Sequence, residues 1–419
     1  MKKFYTFLTV LLFSSMVFGQ TFDNNGGTGD NLWSTATNWI GDVLPVANAG
    51  VTISADVTLD VTIDLDKLTA TGPYTLSGAG KITFTGADKS LAIVCNGDFT
   101  YNAALEISNF GGDVNVAYRK HIKNSTGFQL TFGSLSVLTL TSGLQLDSVI
   151  LTGAINFDGV IEGAEGMRIN DNVVFGASSD NSGFTGSFVL LNDSNVVSNN
   201  TGNGSFIAAG SKLQINKPAI ATINGANSCD GNVSVGNLNT LVLNINANQE
   251  SLGTVYVADG TLTVNVDAAV TNLSFANSSA EVWGTGAVAI TGYEAGEIRF
   301  GTSNTALTPA QLSQITADGV ATGEALGLDT NGYLVLASSL SADSFTLESQ
   351  KRISYPTAVE NNIYFSKPQS NVKIFDITGS KIFEVSKKIT IESLETSQLK
   401  SGMYFIVFEG VKVERFIKK

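Results

Sequence analysis

Apolar and polar residues alternate along most of the chain in short runs separated by small polar residues. The segment LTFGSLSVLTLTSGLQLDSVILTGAINFDGVI (Leu130 to Ile161) is representative, because its Leu, Val, Ile and Phe runs are interrupted by Gly, Ser, Asn or Asp. Alternation with a period of two residues and such interruptions are typical of short β-strands joined by tight turns. Residues 44–300 contain no stretch with helical periodicity, so we predict an all-β body.

Two all-β architectures fit this pattern. Gly or Asp-Gly turns that begin alternating strands recur at Gly133, Gly210 and Asp259, but without a fixed period. A right-handed parallel β-solenoid accounts for a long chain without helices, for small polar residues at corners and for an inner column of apolar residues. With about 22 residues per coil, residues 46–306 would form about twelve coils. One or two stacked β-sandwiches are the alternative, although longer strands and more aromatic core residues would then be expected.

The segment before this body, residues 20–45, is interpreted as an N-terminal leader and cap. A solenoid must close its open end, which otherwise exposes strand edges and an apolar core. Trp33 and Trp39 are placed to form such a lid. A platform on which sugars stack is the functional alternative for the tryptophan pair.

The segment after the body, residues 307–339, is interpreted as a second cap. The sequence LTPAQLSQIT (Leu307 to Thr316) predicts a helix, with Thr308 as its capping residue and Pro309 at its first position. A strand pair is expected next, around the turn Asp329–Gly332.

The first nineteen residues are predicted to be a secretory signal. Lys2 and Lys3 precede an apolar run, Phe4 to Phe18, that is too short to span a membrane. A small residue at Gly19 places the expected cleavage between Gly19 and Gln20. Elsewhere the chain has no apolar stretch of about 18 residues, so we expect no transmembrane segment after signal removal.

The charge balance changes sign near residue 340. The whole chain has a formal net charge of −13, but residues 20–348 hold 10 Lys or Arg against 30 Asp or Glu. Residues 349–419 hold 12 Lys or Arg against 7 Asp or Glu. This change predicts a domain boundary, and the acidic body disfavours a nucleic acid partner.

Four ordered motifs follow this boundary. They are Tyr355–Pro356 at the start, a D-x-x-G turn at Asp376 and Gly379, an L-x-x-G-x-Y phrase at Leu399, Gly402 and Tyr404, and the basic end Lys418–Lys419. In their order and spacing, residues 340–419 resemble the type A C-terminal sorting domain of the type IX secretion system of Bacteroidetes. One departure is that Thr357 and Ala358 follow Tyr355–Pro356, where the family usually has Asn-Pro.

The resemblance implies a small Ig-like β-sandwich that the type IX secretion machinery recognises. The protein is then expected to be secreted or held on the outer cell surface, with the sorting domain removed. An unrelated Ig-like module is the alternative. The body itself resembles autotransporter-like secreted β-helix surface proteins more loosely, in stretches such as SGFTGSFVLLNDSN (Ser182 to Asn195).

Candidate catalytic chemistry is sparse. The single histidine, His121, lies in a basic cluster with Arg119, Lys120 and Lys123. Arg or Lys abstracts a proton in polysaccharide lyases built on solenoids, so this cluster carries the best enzyme hypothesis. We favour instead a solvated loop or strand edge that carries charge to prevent aggregation. We predict no catalytic residues, no cofactor and no metal site.

The polar leader Asp23–Asn31 offers oxygen ligands for Ca²⁺ but lacks the twelve-residue loop pattern, so we interpret it as a flexible segment. Cys95 and Cys229 are 134 positions apart, which would place them about six coils apart. That separation exceeds the ~7 Å between Cα atoms that a disulfide allows. We therefore predict two free thiols, with Cys229 partly exposed.

These observations predict a secreted or cell-surface β-solenoid with a structural, adhesive or glycan-binding role. Its expected partners are the type IX secretion machinery and surface polysaccharide or extracellular glycans. A polysaccharide-active lyase or hydrolase on a β-helix scaffold is the alternative.

Overall fold

A computed structural model of the chain describes residues 19–25, 29–85, 91–108, 120–141, 149–202, 204–236, 238–321, 324–340, 354–355, 357–386, 389–408 and 413–419. The chain divides into two compact units, residues 1–340 and 341–419. We call them the body and the C-terminal domain. Nearly all of the regular secondary structure in both is β-strand, which confirms the all-β prediction.

The body is built from strands that pair in parallel with the strand one coil earlier and the strand one coil later, as in a β-solenoid. The paired strands form three columns, which we call faces A, B and C. Face A comprises β1 (Gln20–Phe22), β2 (Ala49–Ile53), the second part of β4 (Thr62–Ala70), β6 (Leu91–Cys95), β8 (Lys120–Asn124), β11 (Val149–Thr152), β14 (Met167–Ile169), β16 (Ser187–Leu190), β18 (Lys212–Ile215), β20 (Asn232–Val235) and β23 (Val255–Val257).

Face B lies next to face A along each coil. It comprises β3 (Val57–Thr58), the first parts of β5 (Tyr74–Phe84) and β7 (Phe99–Ile107), β9 (Leu130–Phe132), β12 (Ile155–Phe157), β15 (Asn172–Phe175), β17 (Ser194–Ser198), β19 (Ala219–Ile223), β21 (Thr240–Ile245), β24 (Thr261–Val266), β26 (Ala287–Thr291) and β28 (Ile315–Ala317).

Face C completes each coil. It comprises the first part of β4, the second parts of β5 and β7, β10 (Val137–Leu140), β13 (Val160–Gly163), β22 (Gln249–Leu252), β25 (Leu273–Phe275) and β27 (Ile298–Phe300). Between β13 and β22 the column continues through isolated bridges, Gly163 with Phe184 and Ile207 with Cys229.

The coils differ in length, which explains why the repeats in the sequence drift. On face B, Phe157 pairs with Phe175, 18 positions later, whereas Tyr101 pairs with Phe132, 31 positions later. The extra residues lie in the connections between strands, where a longer loop costs little closure entropy.

Side chains alternate between the interior of the solenoid and its surface. In β7 every second residue is buried, from Phe99 to Ile107. Equivalent inward positions stack from coil to coil, so the rings of Phe132, Phe157 and Phe175 lie parallel with centroids 4.6 and 5.5 Å apart. The solenoid therefore has aromatic residues in its core, because equivalent positions of successive coils stack their rings on one another.

The N-terminal end of the body differs from the expected leader. The parallel column starts at Gln20 rather than at residue 46, because β1 pairs with β2. A short 3-10 helix, Ala36–Asn38, follows. Trp33 and Trp39 are each 1% exposed, and the Trp39 indole Nε1 donates to the Trp33 carbonyl oxygen at 2.8 Å. Buried rings cannot stack on a sugar, so the pair acts as a plug over the core.

At the other end, the helix is shorter than the sequence suggested. α1 spans only Pro309–Leu312, with a capping box between Thr308 and Gln311. Ile315 belongs instead to strand β28, which extends face B beyond residue 306 by pairing with β26. Pairing and burial in the column outweigh a weak helical preference over a segment this short.

An antiparallel hairpin closes the body. Strands β29 (Leu326–Leu328) and β30 (Leu334–Leu336) flank a turn in which Asp329 Oδ1 accepts from the backbone N–H groups of Asn331 and Tyr333, each at 2.9 Å. A single helical turn, α2 (Ala337–Leu340), follows.

The C-terminal domain has two layers around one apolar core, as expected for a sandwich, and all of its strand pairs are antiparallel except that of β32 with β38. The smaller sheet contains β31 (Ser354–Tyr355), β33 (Asn362–Gln369) and β36 (Ile391–Glu395). The larger sheet contains, in spatial order, β32 (Ala358–Val359), β38 (Val413–Lys418), β37 (Gly402–Val407), β34 (Lys373–Asp376) and β35 (Lys381–Glu384).

Both cysteines are free and buried. Cys95 ends a strand of face A, and the backbone of Cys229 pairs with that of Ile207 in an isolated β-bridge on face C. The expected partial exposure of Cys229 is wrong, since the residue is 1% exposed. Burial raises the pKa of each thiol to about 12, which leaves almost no reactive thiolate at neutral pH.

We therefore expect a maleimide reagent to add no label to the native body and two labels after denaturation without reductant. Intact-mass spectrometry would count the adducts. A denatured chain that takes up no label would reveal a disulfide and contradict the separation of the two residues along the solenoid.

Candidate functional site

The D-x-x-G turn of the C-terminal domain joins β34 to β35. The Asp376 carboxylate accepts from the Thr378 backbone N–H at 2.8 Å, the Thr378 hydroxyl at 2.6 Å and the Ser380 backbone N–H at 3.0 Å. The hydrogen bond from the Thr378 hydroxyl, together with those from the backbone, lowers the pKa of Asp376. Gly379 has a φ of +82°, which a residue with a side chain rarely adopts. Both residues are thus explained by the turn that they form.

The L-x-x-G-x-Y phrase places an aromatic residue in the core of this domain. The Tyr404 ring stacks on Phe416 with centroids 5.5 Å apart, and its hydroxyl donates to the Lys400 carbonyl oxygen at 2.9 Å. Leu399 packs against the same core, and Gly402 begins β37. The L-x-x-G-x-Y motif therefore holds the turn before β37 against the core of the sandwich.

The basic end is part of the larger sheet. Lys418 pairs with Gly402 on β37, and the Lys419 backbone N–H donates to the Val359 carbonyl oxygen at 2.9 Å. At the other end of the domain, Tyr355 lies in β31 opposite Tyr364, whereas Pro356 is outside the described residues. The two C-terminal cations are thereby held at the end of an inner strand, between β32 and β37.

The start and the end of this domain are joined through a buried carboxylate. Glu414 in β38 is 9% exposed and accepts from the backbone N–H of Ser354 at 2.9 Å and from the Ser354 hydroxyl. Sequence reasoning missed this contact, because Glu414 lies 60 positions from Ser354 and nothing local distinguishes it from a surface glutamate.

The three faces of the body differ in charge. The described strands of face B contain no charged residue, and those of face C contain mainly carboxylates. Face C has an alternating column in which Thr83 lies between Asp64 and Glu106, and Thr139 lies between Glu106 and Glu162. The Lys81 ammonium, 2.6 Å from a Glu106 oxygen, lowers the pKa of Glu106 by its hydrogen bond.

Face A carries cations instead. Lys67, Lys123, Arg168 and Lys212 lie on β4, β8, β14 and β18, and Asp66 is the single carboxylate in the described strands of this face. The strands of face A contain five of the ten Lys and Arg residues between 20 and 348, when Lys120 is included. A face with five bases and one acid therefore lies on a body that has three times as many acids as bases.

A groove of about 350 Å³ runs along face A. Its lining includes one residue from each of five successive strands, which pair in register in the order Arg168, Val189, Gln214, Ser234 and Tyr256. At the spacing of adjacent strands, the column from Arg168 to Tyr256 is ~19 Å long. The groove is therefore elongated along the solenoid and has room for several units of an extended polymer.

The chemistry of the groove is mixed. Val189 is 2% exposed and forms an apolar floor, whereas Tyr256 is 37% exposed at one end. Gln214, Ser234 and the nearby Asn216 add uncharged hydrogen-bonding groups. An exposed aromatic ring beside planar amides and hydroxyls matches a sugar, which presents an apolar C–H face and a polar edge.

This groove cannot be recognised in the sequence. Each of its five column residues stands in an ordinary alternating strand, and the coils between them differ in length, so their register cannot be counted from the sequence. Only the strand pairing brings them together.

The basic cluster has a different setting from the one expected. β8, which holds Lys120, His121 and Lys123, is not an edge strand, because it pairs with β6 on one side and β11 on the other. Lys123 is exposed, and Arg119 lies outside the described residues. Lys123 also lines a second cavity, of about 440 Å³, with Phe128, Asp171 and Asn172. The described part of the cluster thus lies on an inner strand of face A.

The leader Asp23–Asn31 lies partly outside the described residues. Asp30 holds the N-terminal cap together, since its carboxylate accepts from the Asn38 side chain at 2.7 Å and from the Thr35 hydroxyl at 2.9 Å. Within the part of the chain that the structure describes, no three His, Cys, Asp or Glu side chains are grouped so that they could hold a metal ion. The same residues include no helix with the length and apolarity needed to cross a membrane.

These features define a two-part protein, with a parallel β-solenoid followed by a small sandwich. Comparison with protein families shows that residues 355–419 match the secretion system C-terminal sorting domain. This match indicates export through the type IX secretion system, and it covers the motif residues described above. No curated protein and no solved structure gave a significant match to the chain.

Proposed function

We propose that the body is a non-catalytic glycan-binding module that the C-terminal domain delivers to the medium or to the cell surface. The groove on face A is the observation that carries this proposal. It offers an exposed aromatic ring, uncharged hydrogen-bonding groups and an elongated shape, and this combination suits a linear polysaccharide. The expected signal cleavage between Gly19 and Gln20 and an origin in Bacteroidetes belong to the same proposal.

The charged groups of the groove favour binding over catalysis. A polysaccharide lyase or hydrolase needs a base and an acid or cation within reach of one glycosidic bond. Arg168 and Asp259 both line the groove, but Asp259 follows the strand of Tyr256, four strand steps from Arg168. At ~4.8 Å per step this separation is ~19 Å, much longer than the ~9.5 Å that two catalytic carboxyl groups span at most.

We expect Tyr256→Ala to abolish most of the glycan binding of the body. Loss of a stacking ring should weaken binding roughly tenfold to a hundredfold, by analogy with the ~1–3 kcal/mol of base stacking on aromatic residues. Binding of the mature protein to an array of linear polysaccharides, followed by titration calorimetry with the best ligand, would measure the effect.

Tyr256→Phe is the matched control, because it keeps the ring and loses only the hydroxyl. It should retain binding within a few-fold, and both variants should unfold at the wild-type urea concentration. A body that binds no glycan on the array would refute the proposal. Depolymerisation of a bound polymer, lost when Lys120, His121 and Lys123 are all replaced by Gln, would instead establish the enzyme alternative.

A further inference from the structure

The larger sheet of the C-terminal domain has an outer face that is mostly apolar. Along β37, Tyr404 and Ile406 lie in the core, whereas Met403 lies on the other side of the sheet and is 40% exposed. The same alternation in β34 and β38 turns further apolar side chains outward. The apolar residues of this outer face are Phe375, Met403, Phe405, Val407, Val413 and Ile417. A sheet with one solvated face usually has polar side chains there, so this face departs from the pattern.

Strand pairing joins these six residues into one patch, which we call the apolar patch. The opposed pairs are Met403 with Ile417, Val407 with Val413, and Phe405 with Phe375. Since adjacent strands are ~4.8 Å apart and residues in a strand ~3.4 Å apart, the patch measures about 10 by 14 Å between its outermost Cα positions. Val413 and Ile417 are 54% and 50% exposed. Contiguous exposed apolar surface of this kind marks a site of interaction.

The outer face of the smaller sheet is polar instead. Its outward residues in the β33–β36 pair are Asn362 opposite Glu395 and Tyr364 opposite Ser393. Tyr364, which is 49% exposed, is the one large ring among these four. The apolar patch is therefore a property of one sheet and not of the domain as a whole.

The charged residues around the apolar patch are mainly basic. Arg415 lies opposite Phe405, and Lys373 and Lys381 lie toward β35, where both form ion pairs with Glu384. The described strands of this outer face thus contain three bases and one acid. Two copies packed face to face would bring charges of the same sign together, which disfavours self-association. A partner whose apolar surface is bordered by carboxylates matches this arrangement better.

The apolar patch shares its strands with the sorting motifs. Met403 lies between Gly402 and Tyr404 in the L-x-x-G-x-Y motif, and Ile417 directly precedes Lys418–Lys419. Tyr404 itself is 9% exposed and packs inside the domain, so it stabilises the fold while its outward neighbour remains accessible. The match to the sorting domain covers residues 355–419 and includes the whole patch.

We propose that the apolar patch is the surface by which the C-terminal domain docks on the type IX secretion machinery. The partner is a protein surface that is apolar at its centre and has carboxylates around it. Burial of the patch drives the association through the hydrophobic effect, and the surrounding cations orient the partner. The proposal concerns delivery alone and does not depend on what the body binds.

A triple variant tests the patch. Met403→Thr, Val413→Thr and Ile417→Thr together remove exposed apolar side chains and introduce a residue that favours strands, so the domain should remain folded. We expect the fraction of chain that a host with a type IX secretion system exports to fall at least about tenfold, because a few central side chains dominate a protein interface. Fractionation and immunoblotting would measure this fraction.

Tyr364→Thr is the matched control. It removes a side chain of nearly the same fractional exposure as Ile417, but from the outer face of the smaller sheet. The Tyr364→Thr chain should be exported at the wild-type level.

A photoreactive side chain reports the contact directly, and it decides the question even where the triple variant does not fold. Benzoylphenylalanine is placed at Val413 in one full-length chain and at Tyr364 in another, and both chains are irradiated in exporting cells. We expect Val413 to give a covalent adduct with a protein of the export machinery, identified by mass spectrometry of the adduct. Tyr364 should give little or none.

Four results would overturn the proposal. The first is normal export of a triple variant whose C-terminal domain is folded, as judged by limited proteolysis of the full chain. The second is equal adducts from both positions, and the third is an adduct between two copies of the chain at Val413, which would assign the patch to self-association. The fourth is flotation of the wild-type chain, but not of the triple variant, with vesicles of phosphatidylethanolamine and phosphatidylglycerol, which would assign the patch to a lipid surface. The sorting role of the domain is tested separately, by deletion of residues 341–419.

Discussion

Deleting residues 341–419 is expected to retain the protein inside the cell envelope while the body still folds. The match to the sorting domain covers residues 355–419, and the body and the C-terminal domain are separate compact units with separate apolar cores. A truncated body therefore keeps its own core but loses the segment that directs export. We expect it in the periplasmic fraction of a host with a type IX secretion system, and the full chain in the medium or on the surface.

Fractionation followed by immunoblotting would show where each form accumulates, and far-ultraviolet circular dichroism would confirm that the truncated body is folded. Tyr256→Ala is the control for export, because it changes the body and leaves the C-terminal domain intact. Normal secretion of the truncated body would contradict the role of the domain.

A point substitution tests the same role without a deletion. Tyr404→Ala removes a ring that stacks on Phe416 and a hydroxyl bonded to Lys400, which should cost about 3–5 kcal/mol of the stability of this small domain. Export should fall accordingly. Tyr404→Phe keeps the stack and should be exported at nearly the wild-type level.

Much of this architecture is predictable from the sequence, because the responsible signals are local. Alternating burial, as in Thr261–Val266, follows directly from the period of two residues. The turn at Asp376 and Gly379 is equally local, since both the Asx hydrogen bonds and the positive φ belong to five consecutive residues. Such features need no knowledge of the rest of the chain.

The groove is not predictable in this way, because it depends on register between coils. Arg168, Val189 and Gln214 share one column only because the lengths of the intervening coils bring these three positions into register. A change of one residue in a coil would turn a different side chain outward. The helix over Leu307–Thr316 is overestimated for a related reason, since only the pairing of Ile315 with Val288 identifies the start of a strand.

Gly225 is another position whose importance becomes visible only in the structure. It follows β19 at a corner of the solenoid, where a Cβ atom would lie 1.4 Å from the Asn200 carbonyl oxygen. Hydrogen bonds hold the backbone at this corner, so it cannot move away easily from an added Cβ atom. The Gly225 carbonyl oxygen accepts from Gln249 Nε2 at 2.8 Å, and the fully buried Asn200 side chain donates to the carbonyl oxygens of Ser179 and Ser205 at 2.9 and 2.8 Å.

We therefore expect Gly225→Ala to lower the free energy of unfolding of the body by about 3 kcal/mol, the upper part of the range for overpacked sites. The new methyl group must push two coils apart, and the amides of Asn200 and Gln249 then lose partners in a place that water does not reach. Urea unfolding followed by tryptophan fluorescence would measure the change, since Trp33, Trp39 and Trp283 all lie in the body and none in the C-terminal domain.

Gly236→Ala is the matched control. Gly236 also lies just after a strand of the solenoid, but a Cβ atom there would meet its nearest neighbour, Ala258 Cβ, at 3.6 Å, which is ordinary van der Waals contact. Its substitution should change the stability by no more than about 0.5 kcal/mol, as is usual for surface positions. Equal effects of the two substitutions would mean that the approach of Gly225 to Asn200 does not constrain the body, and that the coils can separate at this corner without loss.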